Sequence, residues 1–103
     1  MSEYDRRQYR LILDRLGAFA HGRITLRMLI DDLRSLAEAL EYPSKSWKED
    51  FMSEWWTLEQ VYAVGIDRGD LAGAQAKNQE LVGQTVKTLT QLATRALESE
   101  DQE

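Results

Sequence analysis

The stretch that decides the fold is Thr25-Leu26-Arg27-Met28-Leu29-Ile30-Asp31-Asp32-Leu33-Arg34-Ser35-Leu36-Ala37-Glu38-Ala39-Leu40. Its apolar residues recur every three or four positions, which is the period of an amphipathic helix. Thr25 is a favourable N-cap residue, and Pro43 stops the helix because a residue that precedes proline disfavours the α conformation. The apolar stripe needs other helices to cover it, so this segment predicts a helical core.

Apolar residues on the N-terminal side of this segment repeat with the same period and predict a first helix over Glu3–Ala20. Ser2 is the expected N-cap, with Asp5 as its capping-box partner. Gly22 is placed to end this helix, because glycine readily adopts the left-handed conformation that follows a last turn.

Two further helices are predicted towards the C-terminus. Ser46 and Glu49 form a capping-box pattern that opens a third helix reaching about Arg68, and a fourth helix is expected from Asp70 to about Glu98. Gly83 weakens the fourth helix, so a bend or break is expected near it. Short connections favour antiparallel neighbours, and the predicted fold is an all-α, four-helix antiparallel (up-down) bundle. Residues 1–98 form the single predicted domain, and residues 99–103 form an acidic tail that we expect to be disordered.

The composition of the chain excludes several classes of protein. Its 103 residues suit one domain, and the net charge of −5 gives no general affinity for nucleic acid, which requires an excess of Lys and Arg. The absence of cysteine excludes disulfides and thiolate metal sites. No apolar run is long enough to cross a bilayer, and no signal peptide is recognised. We therefore expect a cytoplasmic protein that contacts neither a membrane nor nucleic acid.

The sequence contains no recognisable catalytic or cofactor motif. No Gly-x-Ser-x-Gly elbow and no phosphate-binding glycine loop is present, and the one histidine, His21, stands at a predicted helix end. We therefore expect a non-enzymatic protein without cofactor or metal. Glu59 falls on the apolar arc of the third helix, where we expect a structural salt bridge to Lys48 or Arg15.

Acidic residues are concentrated in the middle of the chain. Residues 31–60 contain eight acidic and three basic residues, a net charge of −5. Such a surface could bind a basic protein, although the i,i+4 pairs within the second helix also suit an ordinary solvated face. The candidate partner-binding residues are Asp31, Asp32, Glu38, Glu41, Tyr42, Trp47, Glu49, Asp50, Glu54 and Trp56.

The tryptophans leave two alternatives open. Trp55 and Trp56 are adjacent and therefore about 100° apart around a helix, so they cannot fill the same pocket. Trp56 lies at the margin of the apolar arc, where it either packs beneath another helix of the chain or anchors a partner. Trp47 is similarly open between core packing and contact with a partner.

One segment resembles a known family. Residues 19–30, Phe19-Ala20-His21-Gly22-Arg23-Ile24-Thr25-Leu26-Arg27-Met28-Leu29-Ile30, resemble small all-helical bacterial toxin-immunity proteins and are similar to the colicin D immunity kind. The spacing of a later set also resembles bacterial proteins of this length: Trp47, Phe51, Trp55, Leu58, Glu59 and Tyr62. The resemblance implies a cytoplasmic inhibitor whose acidic face covers the basic active site of a cognate toxin, a nuclease.

Two hypotheses about function follow. The first is a non-enzymatic immunity-type protein that binds and neutralises a cognate bacterial toxin domain through its acidic surface. The alternative is a homodimeric helical protein with a structural or regulatory role, paired through the spare apolar margin of the third helix. A protein that stays monomeric at high concentration would favour the first hypothesis.

Overall fold

The chain folds into α-helices joined by short connections. A computed structural model describes the backbone of residues 1–101 and the side chains of residues 1–98. Within that range it contains five helices and no strand: α1 (Glu3–Ala20), α2 (Leu26–Ala39), α3 (Lys45–Asp67), α4 (Leu71–Lys77) and α5 (Gln79–Asp101). The all-α prediction is confirmed, whereas the four-helix bundle is not, since the described residues form five helices. The predicted acidic tail begins within α5, and its residues 102–103 lie outside the described residues.

The additional helix arises because the predicted fourth helix is interrupted at Asn78, and not near Gly83. The backbone N–H of Asn78 donates to the carbonyl of Ala74 at 3.1 Å, and its side-chain Nδ2 donates to the same oxygen at 2.8 Å. An asparagine side chain competes for backbone hydrogen bonds, whereas glycine only lowers helix propensity. Gly83 therefore remains inside α5, on its exposed side.

A glycine ends each of α1 and α3. For α1 this glycine is Gly22, as predicted. Gly22 and Gly69 have positive φ angles of 73° and 65°. Beyond Gly22, the N–H of Arg23 donates to the carbonyl of Ala18 at 2.8 Å, which is the six-residue closure of a Schellman motif. The same closure follows α3, so both helices end sharply and direct the chain into short connections.

The N-caps agree with the sequence at α1, α2 and α4, where Asp70 is the cap, and differ at α3. Ser2 and Thr25 cap α1 and α2 as predicted, each accepting a backbone N–H three residues further on. At α3 the cap is Ser44 and not Ser46; its hydroxyl accepts the amide three residues on at 3.2 Å. Ser46 lies within the first turn, so the predicted capping box with Glu49 does not form.

The four long helices surround one core. α1 contacts α2 and α5, and α3 contacts the same two helices, so α1 and α3 lie diagonally opposite each other; α4 packs mainly on α3. Each long helix contributes side chains with no exposed surface, such as Ile12, Leu33, Leu58 and Leu89. Burial of each such side chain contributes about 1.5–3 kcal/mol to stability. The molecule measures 47 × 25 × 19 Å.

A buried carboxylate holds the connection between α2 and α3. Asp5 is only 1% exposed, and its two carboxylate oxygens accept the backbone N–H groups of Glu41 and Tyr42, both at 2.8 Å. The predicted role of Asp5 as the capping-box partner of Ser2 is therefore wrong, because its side chain faces this connection. The two bonds link residues 36 and 37 positions apart in sequence.

Replacement of Asp5 should destabilise the fold. Asp5→Ala leaves two backbone amides without their acceptor, and we expect a loss of about 3 kcal/mol in the free energy of unfolding, measured by urea denaturation. The control is Asp14→Ala on the same helix, whose exposed ion pair contributes less than about 0.5 kcal/mol. Equal effects of the two replacements would contradict this role of Asp5.

Gly65 brings α3 and α4 into close contact. A Cβ atom at this position would lie 3.0 Å from Leu71 Cα, 3.0 Å from Leu71 Cδ1 and 3.1 Å from Ala74 Cβ. A Cβ at Gly83 would have no neighbour within 4 Å. The two glycines are therefore a matched pair, since both are helical and only Gly65 is required by packing.

Alanine at these two glycines should change stability in opposite directions. Gly65→Ala forces α4 away from α3, and we expect a net loss of about 1 kcal/mol after the gain in helix propensity. Gly83→Ala has the same gain in helix propensity without the clash, and it should raise the free energy of unfolding by as much as about 1 kcal/mol. Urea denaturation followed by circular dichroism measures both, and a shift of the same sign in the two variants would refute the packing argument.

Candidate protein-binding surface

A groove runs between α2 and α3 on the outside of the molecule. Its volume is about 420 Å³, and it is lined by Arg34, Glu38, Met52, Trp55, Trp56 and Glu59. Aromatic and aliphatic surface forms its floor, while carboxylates and one guanidinium lie around it. Grooves with this mixture of apolar surface and charge are typical of protein-protein contact sites.

The two adjacent tryptophans occupy different environments in this groove. Trp55 is buried, and its Nε1 donates to the carbonyl of Ile30 at 2.8 Å. Trp56 is 58% exposed, with its ring centroid 5.7 Å from that of Trp55 and the planes tilted by 32°. Trp55 therefore holds α3 against α2 and provides a rigid support for the exposed indole. The alternative in which Trp56 packs beneath another helix is wrong.

Arg34 is held in the groove by an aromatic ring and a carboxylate. Its guanidinium carbon lies 6.0 Å from the centroid of the Trp55 ring, within cation-π range. Its Nε donates to Glu38 at 3.0 Å. The predicted i,i+4 pair of α2 is therefore present, and it also forms one wall of the groove.

Glu59 does not form the expected salt bridge. Arg15 pairs with Asp14 at 2.7 Å and with Asp32 at 3.8 Å, away from Glu59. Among the described residues, neither Lys48 nor any other cation lies within ion-pair distance of Glu59. The half-buried carboxylate of Glu59 instead lines the groove beside Trp56.

Four of the predicted binding residues lie on the side of the molecule that carries the groove. Glu38 and Trp56 line it. Asp31 is exposed seven residues, or about two helical turns, before Glu38 and pairs with Arg27 at 3.8 Å. Glu49 is exposed and lies seven residues before Trp56, hence on the same side of α3.

The acidic residues Asp32, Asp50 and Glu54 lie on other sides of the molecule. Asp32 pairs with Arg15 between α1 and α2. Asp50 and Glu54 line a cleft between α3 and α5. The structure therefore distributes the predicted acidic surface over several faces, because residues close in sequence point in different directions around a helix.

Glu41 and Tyr42 lie in the connection after α2, and their backbone amides are bound by Asp5. Tyr42 is 76% exposed and lies near Trp47 at the rim of a shallow cavity of about 380 Å³. For Trp47 the structure shows core packing: its Nε1 donates to the carbonyl of Leu92 at 2.8 Å, and its ring packs against Tyr9 and Phe51.

Two arginines of the outer surface are held in their charged form. The hydrogen bond to Asp14 raises the pKa of Arg15 above its ordinary value, and Asp32 adds to this effect. The hydrogen bond from Arg27 to the Tyr62 hydroxyl raises the pKa of Arg27, and Asp31 adds to it. Both guanidiniums therefore partly neutralise the acidic residues of α2.

Comparison of the chain with known proteins gives no match: no family model, no curated protein and no solved structure corresponds to it. In the part of the chain that the structure describes, no helix combines the length and the hydropathy that crossing a bilayer requires.

Three groove residues were not predicted as binding residues from the sequence: Arg34, Met52 and Glu59. A partial signal was present, because Met52 and Glu59 stand four residues before and three residues after Trp56 and so share its side of α3. The contribution of Arg34 depends on its contact with Trp55, which joins two helices and leaves no local pattern.

The contrast between Trp47 and Trp56 predicts different effects on stability. Trp47→Phe removes the hydrogen bond to Leu92 and leaves a gap between rings, and we expect a loss of about 1–2 kcal/mol in the free energy of unfolding. Trp56→Phe should change it by less than about 0.5 kcal/mol, because the indole is mostly exposed. Urea denaturation tests both, and a larger loss for Trp56→Phe would contradict these placements.

Proposed function

We propose that this protein is a non-enzymatic, immunity-type protein that binds and neutralises a toxin domain through the α2–α3 groove and the acidic residues beside it. The observation that carries the proposal is the exposed indole of Trp56. Large aromatic side chains are common anchors at protein-protein interfaces. The Trp56 indole is exposed, rests on Trp55 and has the carboxylates of Glu38 and Glu59 in the same groove.

The charge of this side of the molecule supports a basic partner. Glu49 and Glu59 have no cationic partner among the described residues, whereas the acidic residues Asp31 and Glu38 of α2 are paired within their own helix. Unpaired carboxylates accelerate encounter with a positively charged surface, and the aromatic contact slows dissociation. The active site of a nuclease is such a surface, which agrees with the resemblance of residues 19–30 to bacterial immunity proteins.

The experiment is co-expression with the product of the adjacent reading frame, where toxin and inhibitor genes would lie together. We expect the protein to co-purify with that product and to restore growth of cells that produce it. Trp56→Ala should weaken the complex by at least about tenfold, the loss of about 1.4 kcal/mol or more expected at a hot spot. Isothermal titration calorimetry measures the affinity.

Charge reversal separates the acidic contribution from general folding effects. Glu49→Lys should weaken the complex and reduce its dependence on salt, because fewer opposite charges meet. Glu98→Lys makes the same change at an exposed position of α5 and serves as the matched control. A complex unaffected by both Trp56→Ala and Glu49→Lys would overturn the proposal. An obligate dimer in light scattering, dissociated by Trp56→Ala, would favour the homodimeric alternative instead.

A further inference from the structure

In one part of the groove, the protein's own Arg34 guanidinium already lies over an aromatic ring and pairs with a carboxylate. Arg34 lies over the Trp55 ring at 6.0 Å and donates to Glu38 at 3.0 Å, so an aromatic ring, a guanidinium and a carboxylate form one complete set. The Arg34 guanidinium therefore makes two favourable interactions, a cation-π contact with the face of the ring and a charge-assisted hydrogen bond to the carboxylate.

The neighbouring half of the groove repeats two of these three parts. Trp56 and Glu59 are three residues apart on α3, which brings their side chains together on one side of the helix. The ring of Trp56 is 58% exposed, and within the described residues no cation lies within ion-pair distance of Glu59. The aromatic ring and the carboxylate are therefore present without a guanidinium.

The charge of the groove favours a cation as its occupant. The lining contains one positive side chain, Arg34, and two negative ones, Glu38 and Glu59, so its net charge is −1. Because Arg34 and Glu38 neutralise each other, the remaining negative charge belongs to Glu59. An apolar or acidic side chain placed here would leave that half-buried carboxylate without a counter-ion.

We propose that the partner protein places an arginine side chain in the groove, with its guanidinium over the Trp56 ring and paired with Glu59. This inference rests on the proposed function, since it names the side chain by which the partner is recognised. Arginine suits the position better than lysine, because a planar guanidinium stacks on an indole and bonds a carboxylate in the same orientation.

The indole N–H signals in a nitrogen-15 correlation spectrum provide the test. Trp47 and Trp55 each donate their indole N–H to a carbonyl at 2.8 Å, whereas Trp56 is exposed and supplies the indole signal that a ligand in the groove should shift most. The full chain is titrated with a blocked peptide containing one arginine between glycines. Matched peptides carry lysine or the uncharged arginine analogue citrulline in its place.

We expect the arginine peptide to shift the Trp56 signal most, and to leave in place the signal of Trp47, which does not line the groove. The lysine peptide should bind more weakly and the citrulline peptide not measurably. Glu59→Gln should weaken arginine binding about 2- to 5-fold, as expected for one ion pair at the protein surface, while Glu98→Gln should not change it. Equal binding of the arginine and citrulline peptides, or equal affinity of Glu59→Gln and the unchanged protein, would overturn the inference.

The outcomes also separate this inference from the proposed function. If a toxin domain binds and Trp56→Ala weakens the complex, but no arginine peptide shifts Trp56, the groove is a binding site and the assignment of arginine is wrong. If the arginine peptide binds as expected and the product of the adjacent reading frame does not, the recognition of arginine stands and the immunity function fails.

Discussion

The position of α3 depends on the two hydrogen bonds that the Asp5 carboxylate accepts from the backbone N–H groups of Glu41 and Tyr42. They attach the first turn of α1 to the end of α2, immediately before Pro43 and the N-cap of α3. Further along, the hydrogen bond from the Trp55 indole to the carbonyl of Ile30 holds α3 along α2. The groove beside Trp56 exists because these contacts hold the two helices in register.

The fold class could be predicted from the sequence because helical periodicity is a local property. The stripe of α2 and the stop at Gly22 both depend on residues within a few positions of each other. The side chain of Asp5 was misassigned, because the backbone N–H groups that donate to its carboxylate lie 36 and 37 residues away, whereas local spacing suggested a capping box. The interruption at Asn78 was missed because its side chain competes with the backbone, an effect that the apolar pattern does not contain.

The candidate site was predictable only in part. Charge counting along the sequence identified an acidic segment, but a helix turns 100° per residue, so Asp32 and Asp50 lie on different faces. The exposed position of Trp56 was one of two alternatives that the margin of the apolar arc allowed. Whether a carboxylate has a counter-ion depends on contacts between helices, which the sequence does not show. The expected salt bridge of Glu59 was therefore wrong.

The junction at Gly65 gives the molecule unequal local stability. α4 has seven residues, none of them buried, and it meets α3 where the absence of a side chain permits close approach. Detaching this short helix exposes little apolar surface, whereas separating the long helices opens the whole core. Hydrogen exchange at the amides of α4 is therefore governed by its own undocking, and this segment should tolerate proteolytic cleavage or an inserted sequence better than the four long helices.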